Sequence, residues 1–452
     1  MVEIALDCHK NGVWSKFSDM KLLYKLFRVV RHPRLCFSVL PYKFFGMLVA
    51  IKTYRRFVLP LVVRRIKCRT RINVVFLAMN PDMWRYDGVY RKFESNPRFN
   101  LVVVTAMRNI PQMEIRVEEQ ESMVAYFSCK GFNVLRGYDS VSKKWINLKS
   151  LKPDIIFYTQ PYNNVIERSF EYFHHLGSLL CYTPYSFQLS DVDWNWNNNL
   201  QQYCWKLFYV GNEQLEQCNR LSRIGKRNAV AAGYCFEEEY AESIKDTDAA
   251  KGAWRNDARK RIIWAPHHSI AASGWFKVSS FLEIADFMLR LRNEFRKQVV
   301  VAFKPHPVLK TKLYKIWGKA KTDAYYADWA SSTDSFYAQG DYHALFAGSD
   351  AMIHCSGSFI IEYLYTGKPV AYVYSKTRNS PDIGPIGDAA LEAHYPAHSE
   401  ADIRRFVEEV IIGENDTMRE IRKDVTRKYL KSPNGKMFSE NVYENILEGL
   451  GL

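Results

Sequence analysis

The chain has 452 residues, of which 47% are hydrophobic and 25% charged. That balance excludes a disordered chain, a collagen and a small disulfide scaffold, and the length allows two or three domains with sizeable cores. The net charge is +15, but residues 1–72 alone hold 16 Lys/Arg against three Asp/Glu; the rest is near neutral, which argues against a nucleic-acid-binding body.

Nine cysteines are scattered without a Cys-x-x-Cys pair, so neither a zinc site nor a disulfide framework is expected, and a reducing cytoplasm fits. The opening Met1-Val2-Glu3-Ile4 lacks the layout of a secretory signal. The best apolar stretch, 35–51, is broken by Pro41 and Lys43, so no membrane-spanning helix is expected.

Residues 1–72 read as a basic helical arm. Between 20 and 71, apolar runs such as Phe57-Val58-Leu59-Pro60-Leu61-Val62-Val63 alternate with cations such as Arg64-Arg65. This pattern suits an interfacial helix on an anionic membrane surface, where each cation adds about 1 kcal/mol. Helices packed on the body with a solvated basic face are the plainer alternative, and an acidic partner such as RNA is a third.

From residue 73 the texture changes. Apolar runs at 73–79, 101–105, 132–135, 154–158, 179–182, 207–210 and 230–234 predict buried strands, with helices at 84–93 and 113–131 between them. Residues 73–236 thus form a first Rossmann-like domain. Residues 237–258 are polar and read as a linker. The alternation restarts with strands at 261–265, 299–303, 351–354 and 370–373 and helices at 280–295 and 358–366. Residues 259–400 form a second Rossmann-like domain, and 401–452 are C-terminal helices. The expected architecture is α/β, with two parallel-sheet domains and a cleft between them.

Ligands of open α/β sheets lie beyond the carboxyl ends of the strands. Three polar clusters of the second domain fall there: His267-His268-Ser269, Lys304-Pro305-His306-Pro307 and His354-Cys355-Ser356-Gly357-Ser358. Ser356, Gly357 and Ser358 offer hydroxyls and backbone N–H groups to a phosphate, and Lys304 and His306 add cationic donors. Glu362, one turn into the following helix, is placed to accept from ribose hydroxyls. Singly these clusters read as a helix cap or a turn; together they predict a nucleotide-diphosphate site.

The order Trp264-Ala265-Pro266, Lys304-Pro305-His306-Pro307, Ser349-Asp350-Ala351-Met352-Ile353-His354-Cys355-Ser356-Gly357-Ser358, Glu362-Tyr363-Leu364 and Gly367-Lys368-Pro369-Val370 resembles the CDP-glycerol glycerophosphotransferases of teichoic-acid primase and polymerase type. Ala232-Gly233-Tyr234 is similar to the glycine that ends the family's first domain. The resemblance spans about residues 150–450 and is most specific at 299–370. It implies a GT-B fold, a nucleotide held mainly by the second domain, and peripheral attachment to the cytoplasmic face of the membrane. Two departures stand out. Where the family carries His-Gly-Thr-Pro, this chain has Cys181-Tyr182-Thr183-Pro184-Tyr185; where it carries Asp before Tyr-Ser-Ser, this chain has His354.

The reaction so implied is attack of an acceptor hydroxyl, on a glycan or a lipid-linked acceptor, at the β-phosphorus of CDP-glycerol, with CMP leaving. A base near the hydroxyl and positive charge at the phosphates are required. His267 and His268 are the leading base candidates because imidazole titrates near neutrality. Asp191 is a second choice, with Asp193, in a loop whose Trp194 and Trp196 would otherwise pack on the body. Tyr185 is a candidate substrate-binding residue. No Asp-x-Asp metal motif occupies these strand ends, so no tightly bound cofactor is expected, with Mg²⁺ as an optional helper. A GT-B glycosyltransferase using a nucleotide sugar is the main rival, and a non-catalytic glycan-binding membrane protein a further one.

Overall fold

The computed structural model describes residues 44–452 except 271–277, 341 and 377–382. The greater part of the expected basic arm, residues 1–43, lies outside the described residues. Two parallel sheets organise the rest. The first has the order β3-β2-β1-β6-β7-β8-β9, with β1 at Ile72–Ala78, β2 at Phe99–Thr105, β3 at Val134–Arg136, β6 at Ile155–Tyr158, β7 at Leu179–Tyr182, β8 at Lys206–Tyr209 and β9 at Ala229–Ala231. The small hairpin of β4 (Tyr138–Asp139) and β5 (Lys144–Trp145) stands apart. The second sheet runs β12-β11-β10-β13-β14-β15, with β10 at Lys260–Ala265, β11 at Val299–Phe303, β12 at Ser335–Tyr337, β13 at Ala351–His354, β14 at Val370–Val373 and β15 at Tyr395–Ala397.

These strands form where they do because both of their faces are covered. β6, β7, β11, β13 and β14 are buried at every residue, which is why they read as unbroken apolar runs. β12 and β15 are three-residue edge strands, too short to stand out as runs. Gly367, at φ +68°, adopts the left-handed turn that ends the helical segment before β14.

Three segments differ from expectation. Residues 237–258 are mostly helical: Cys235–Ser243 and Thr247–Ala253 bury Cys235, Phe236, Tyr240 and the adjacent Trp254. Their polar composition belongs to the outer faces, and Asp246 is spent on capping, accepting from the Ala249 N–H at 2.8 Å. The C-terminal helices divide between the domains. Glu400 pairs with Arg290 of the second domain, whereas Phe438–Leu450 returns to the first, where Asn96 donates to Tyr443 Oη at 2.8 Å and Lys92 meets Glu440. Finally, Phe44–Lys67 is one helical segment with a π-helical turn at Tyr54–Val58. It packs Met47, Ile51, Tyr54, Leu59, Val62 and Ile66 into the core of the first domain.

The second domain has its own aromatic core. Trp264 of β10 stacks on Phe303 of β11 with centroids 4.9 Å apart, and Phe303 stacks on Trp329 at 5.2 Å. This core fixes the positions of the strand ends that carry the polar clusters.

Candidate functional site

The order of the second sheet reverses at β10, which has β11 on one side and β13 on the other. A crevice opens beyond the strands at such a reversal. The three polar clusters follow these three neighbouring strands. Their loops are stitched to the sheet by backbone bonds: Lys304 N–H to Trp264 O at 2.8 Å, His306 N–H to Pro266 O at 3.1 Å and Cys355 N–H to Ala265 O at 3.4 Å. The His267 N–H donates to Cys355 Sγ at 3.4 Å, which joins the first cluster to the third.

The structure brings His267, His268 and His306 together. Their ring centroids lie 4.3, 4.1 and 5.4 Å apart, and one nitrogen from each lies within 4.8 Å of the others. Three imidazoles at that spacing can hold a divalent cation, so their proton positions decide what the group does. His267 Nδ1 accepts the Ser269 N–H at 3.2 Å, and His306 Nδ1 accepts the Val308 N–H at 3.2 Å. Lys312, on the helix Val308–Ile316, donates to His268 Nδ1 at 2.9 Å. Each neutral ring therefore carries its proton on Nε2, where it is a donor rather than a ligand. The group suits an anion better than a metal ion.

Burial keeps all three rings neutral. It pushes His267 well below the ordinary imidazole range, helped by its two histidine neighbours and Lys312. His306 falls to about 3 from burial, then from His268, Lys312 and Lys304, and His268 is lowered by burial and then by Lys312. His267 and His306 are held by backbone donors. His268 is held by a flexible lysine side chain, so one rotation of Lys312 frees its Nδ1 lone pair.

Lys304 is buried at the end of β11 and donates to Gly340 O at 2.9 Å. Ser356 to Ser358 form the turn after β13, with Ser358 opening the short helix Phe359–Glu362. The Ser356 N–H is already used, donating to His354 Nδ1 at 3.1 Å. His354 itself is 1% exposed, so it supports the turn from beneath.

Two predicted site residues have other engagements. Glu362 is buried, and its two oxygens accept from Tyr234 at 2.8 Å and Tyr342 at 2.9 Å. A ribose would reach it only by displacing a tyrosine. Asp191 lies elsewhere: Gln217 donates to it and Arg220 pairs with it at 2.7 Å. It lies close to the second domain. A methyl group on Gly384, at φ +64° in the second domain, would fall 2.9 Å from Asp191 Oδ1 and 3.1 Å from Leu189 O. Tyr185 Oη lies 3.1 Å from Tyr162 Oη, at the carboxyl end of the first sheet. Lys312, Tyr162 and the Tyr234–Tyr342 pair escaped the sequence, because each joins its partner only through the fold.

A family model described as CDP-Glycerol:Poly(glycerophosphate) glycerophosphotransferase matches residues 193–448. No curated protein matches the sequence. Among solved structures, a variant of the wall teichoic acid polymerase TagF aligns at TM-score 0.56 and 11% identity, covering 96% of this chain and 98% of that one. A TagF variant soaked with CDPG aligns at 0.53 and 10%, with the same coverage. The Neisseria meningitidis UDP-GlcNAc 2-epimerase bound to UDP-GlcNAc aligns at 0.53 and 12%, over 83% of this chain and 99% of that one. At these identities the likeness is one of fold: two Rossmann-like domains in the GT-B manner.

Proposed function

This chain belongs to the CDP-glycerol:poly(glycerophosphate) glycerophosphotransferase family and is a transferase of that type, and on this premise we propose how its second domain works. The donor is CDP-glycerol, and its pyrophosphate lies across the reversal point of the second sheet. There the Nε2–H groups of His267 and His306, the Lys304 ammonium and the turn at Ser356, Gly357 and Ser358 face it. The acceptor, a hydroxyl on a surface glycan or a lipid-linked molecule of the teichoic-acid kind, attacks the β-phosphorus. The new P–O bond forms as the bond to CMP breaks, and His268 takes the hydroxyl proton once Lys312 turns toward the phosphates. Protein donors carry the phosphate charge in this scheme, with no tightly bound metal and Mg²⁺ at most accompanying the nucleotide.

The observation that carries this proposal is the convergence of the three clusters on neighbouring strand ends. Calorimetric titration with CDP-glycerol, CMP, UDP and UDP-sugars tests it. Cytidine ligands should bind and uridine ligands should not. Lys304→Ala should weaken CDP-glycerol binding by about tenfold to a hundredfold, the value of a charge-assisted bond. Preference for uridine nucleotides would replace the donor assignment with a nucleotide sugar. Undiminished affinity in Lys304→Ala would remove the lysine from the site.

We further propose that the protein works at the cytoplasmic membrane face as a peripheral protein. No helix among the described residues is long and apolar enough to cross a membrane. The segment Phe44–Lys67 buries one face in the first domain but turns Phe57 (60% exposed) and Leu61 (67%) outward, with Lys52, Arg56 and Arg64 exposed beside them. Apolar and cationic groups on one surface suit an anionic lipid interface. Phe57→Glu with Leu61→Glu should cut sedimentation with phosphatidylglycerol vesicles severalfold while leaving CDP-glycerol affinity intact. Equal sedimentation of variant and wild type would take this face off the membrane.

A further inference from the structure

Beneath the turn at Ser356, Gly357 and Ser358 lie three buried side chains that the transfer scheme does not use. His354 ends β13, Tyr372 lies on β14, and His394 directly precedes β15. The sheet register pairs His354 with Tyr372, which puts both side chains on the same face. The His354 ring lies 5.3 Å from Tyr372 and 5.3 Å from His394, and Tyr372 lies 6.5 Å from His394. Each of the three residues is 1% exposed.

The hydrogen bond at one edge of each imidazole settles what the other edge offers. His354 Nδ1 accepts the Ser356 N–H at 3.1 Å, so the neutral ring carries its proton on Nε2. His394 Nδ1 donates to Ala390 O at 2.7 Å, because a carbonyl can only accept, and its Nε2 is left a bare acceptor. Both rings are neutral: burial lowers His394 to about 4 and His354 well below the ordinary imidazole range. His354 Nε2, His394 Nε2 and Tyr372 Oη are buried without a hydrogen-bond partner among the described residues. A native interior seldom leaves such atoms unpaired. The first is a donor, the second an acceptor, and the hydroxyl is both. A cation would meet the His354 proton, so the set suits a neutral molecule that donates and accepts. A buried water takes about two to four polar partners, and these three are of the right kinds.

We propose that a buried water bridges His354 Nε2–H, His394 Nε2 and the Tyr372 hydroxyl, and that through it His394 is a positioning residue for the phosphate turn. The functional half of this rests on the donor assignment above. His354 can hold the Ser356 N–H only in its Nε2–H tautomer and its present orientation. A water that accepts the Nε2 proton fixes both, and by polarising the ring it strengthens Nδ1 as an acceptor. The Ser356 N–H then anchors the start of the turn, and Gly357 and Ser358 follow it toward the donor.

Nitrogen-15 NMR of the histidine-labelled full chain, with rings assigned from single variants, should find His354 protonated at Nε2 and His394 at Nδ1. A crystal structure should show one water about 2.7–3.2 Å from the three atoms. His394→Leu removes the acceptor. It should quicken hydrogen exchange of the Ser356 amide about fivefold and raise the KM for CDP-glycerol by a similar factor, with kcat unchanged. His394→Gln restores an acceptor and should recover most of both. Tyr372→Phe deletes one oxygen and keeps the packing; it should shift exchange and KM the same way by about twofold, and it carries the test if His394→Leu fails to fold. Reversed tautomers, a direct ring-to-ring bond without water, or unchanged Ser356 exchange in these variants would overturn the link. Quickened exchange with KM unmoved would overturn the positioning role. Quickened exchange in a protein that ignores CDP-glycerol would keep the link and defeat the donor assignment instead.

Discussion

Replacing His268 with alanine should lower glycerol phosphate transfer by about 10²- to 10³-fold, the usual worth of a general base, and leave donor affinity within about twofold. Among the three clustered rings, His267 and His306 have Nδ1 occupied by backbone N–H groups that no side-chain motion removes. His268 has Nδ1 occupied by Lys312, which one rotation withdraws. The rate should follow the neutral form of His268. Burial and the Lys312 charge lower its pKa, so the acidic limb of kcat/KM should lie below the ordinary value of about 6.5. Lys312→Met removes the second of these causes and should move that limb to higher pH. Initial rates of CMP release, followed from about pH 5 to about pH 8, read both effects. A His268→Ala enzyme with wild-type turnover would assign proton transfer to another group. A limb that stays put in Lys312→Met would show that the lysine does not govern the histidine.

Glu362→Ala should be the most destabilising single change at the site, by about 3–5 kcal/mol. The carboxylate is 1% exposed and both of its oxygens are used. Tyr234 comes from the end of the first domain and Tyr342 from the second, so the bonded trio ties the two together. Removing the carboxylate strands two buried hydroxyls and leaves a gap between the domains. The melting temperature should fall by about 3–5 °C, since a chain of this length unfolds with a large entropy. Glu362→Gln keeps the shape and one acceptor, and should lose roughly a third as much. A melting temperature unchanged in Glu362→Ala would show that the trio does not hold the domains.

Much of the architecture was legible because buried parallel strands write themselves as short apolar runs. β1, β2, β10, β11 and β13 each appear in the sequence within a residue or two of their bounds. The helices at residues 235–253 did not, since their polar faces dominate and the buried residues are few. The sequence could place His267, His268 and His306 beyond strand ends because each follows a strand within three residues. The partners of Asp191 and Glu362 were not legible, because an acidic residue near a strand end looks the same whether it meets a substrate, an arginine or two tyrosines. The two tryptophans at 194 and 196 were indistinguishable for a similar reason: on a single helical turn, the direction of each side chain depends on what the turn packs against.

By itself, the sequence determined two α/β units, the strand ends on which polar residues would gather, and the excess of cations in the first 72 residues. These are local properties, set by apolar periodicity and by the residues that end each run. Only the tertiary structure decided which side chains are free for chemistry and which are held by partners. Lys312 reaches His268 across 44 residues, Arg220 reaches Asp191 across 29, and Tyr234 reaches Glu362 across 128. Such contacts depend on the order in which strands assemble and on the domains meeting, which no local pattern encodes. They also set the protonation of the histidines, because burial and neighbouring charge act through space rather than along the chain.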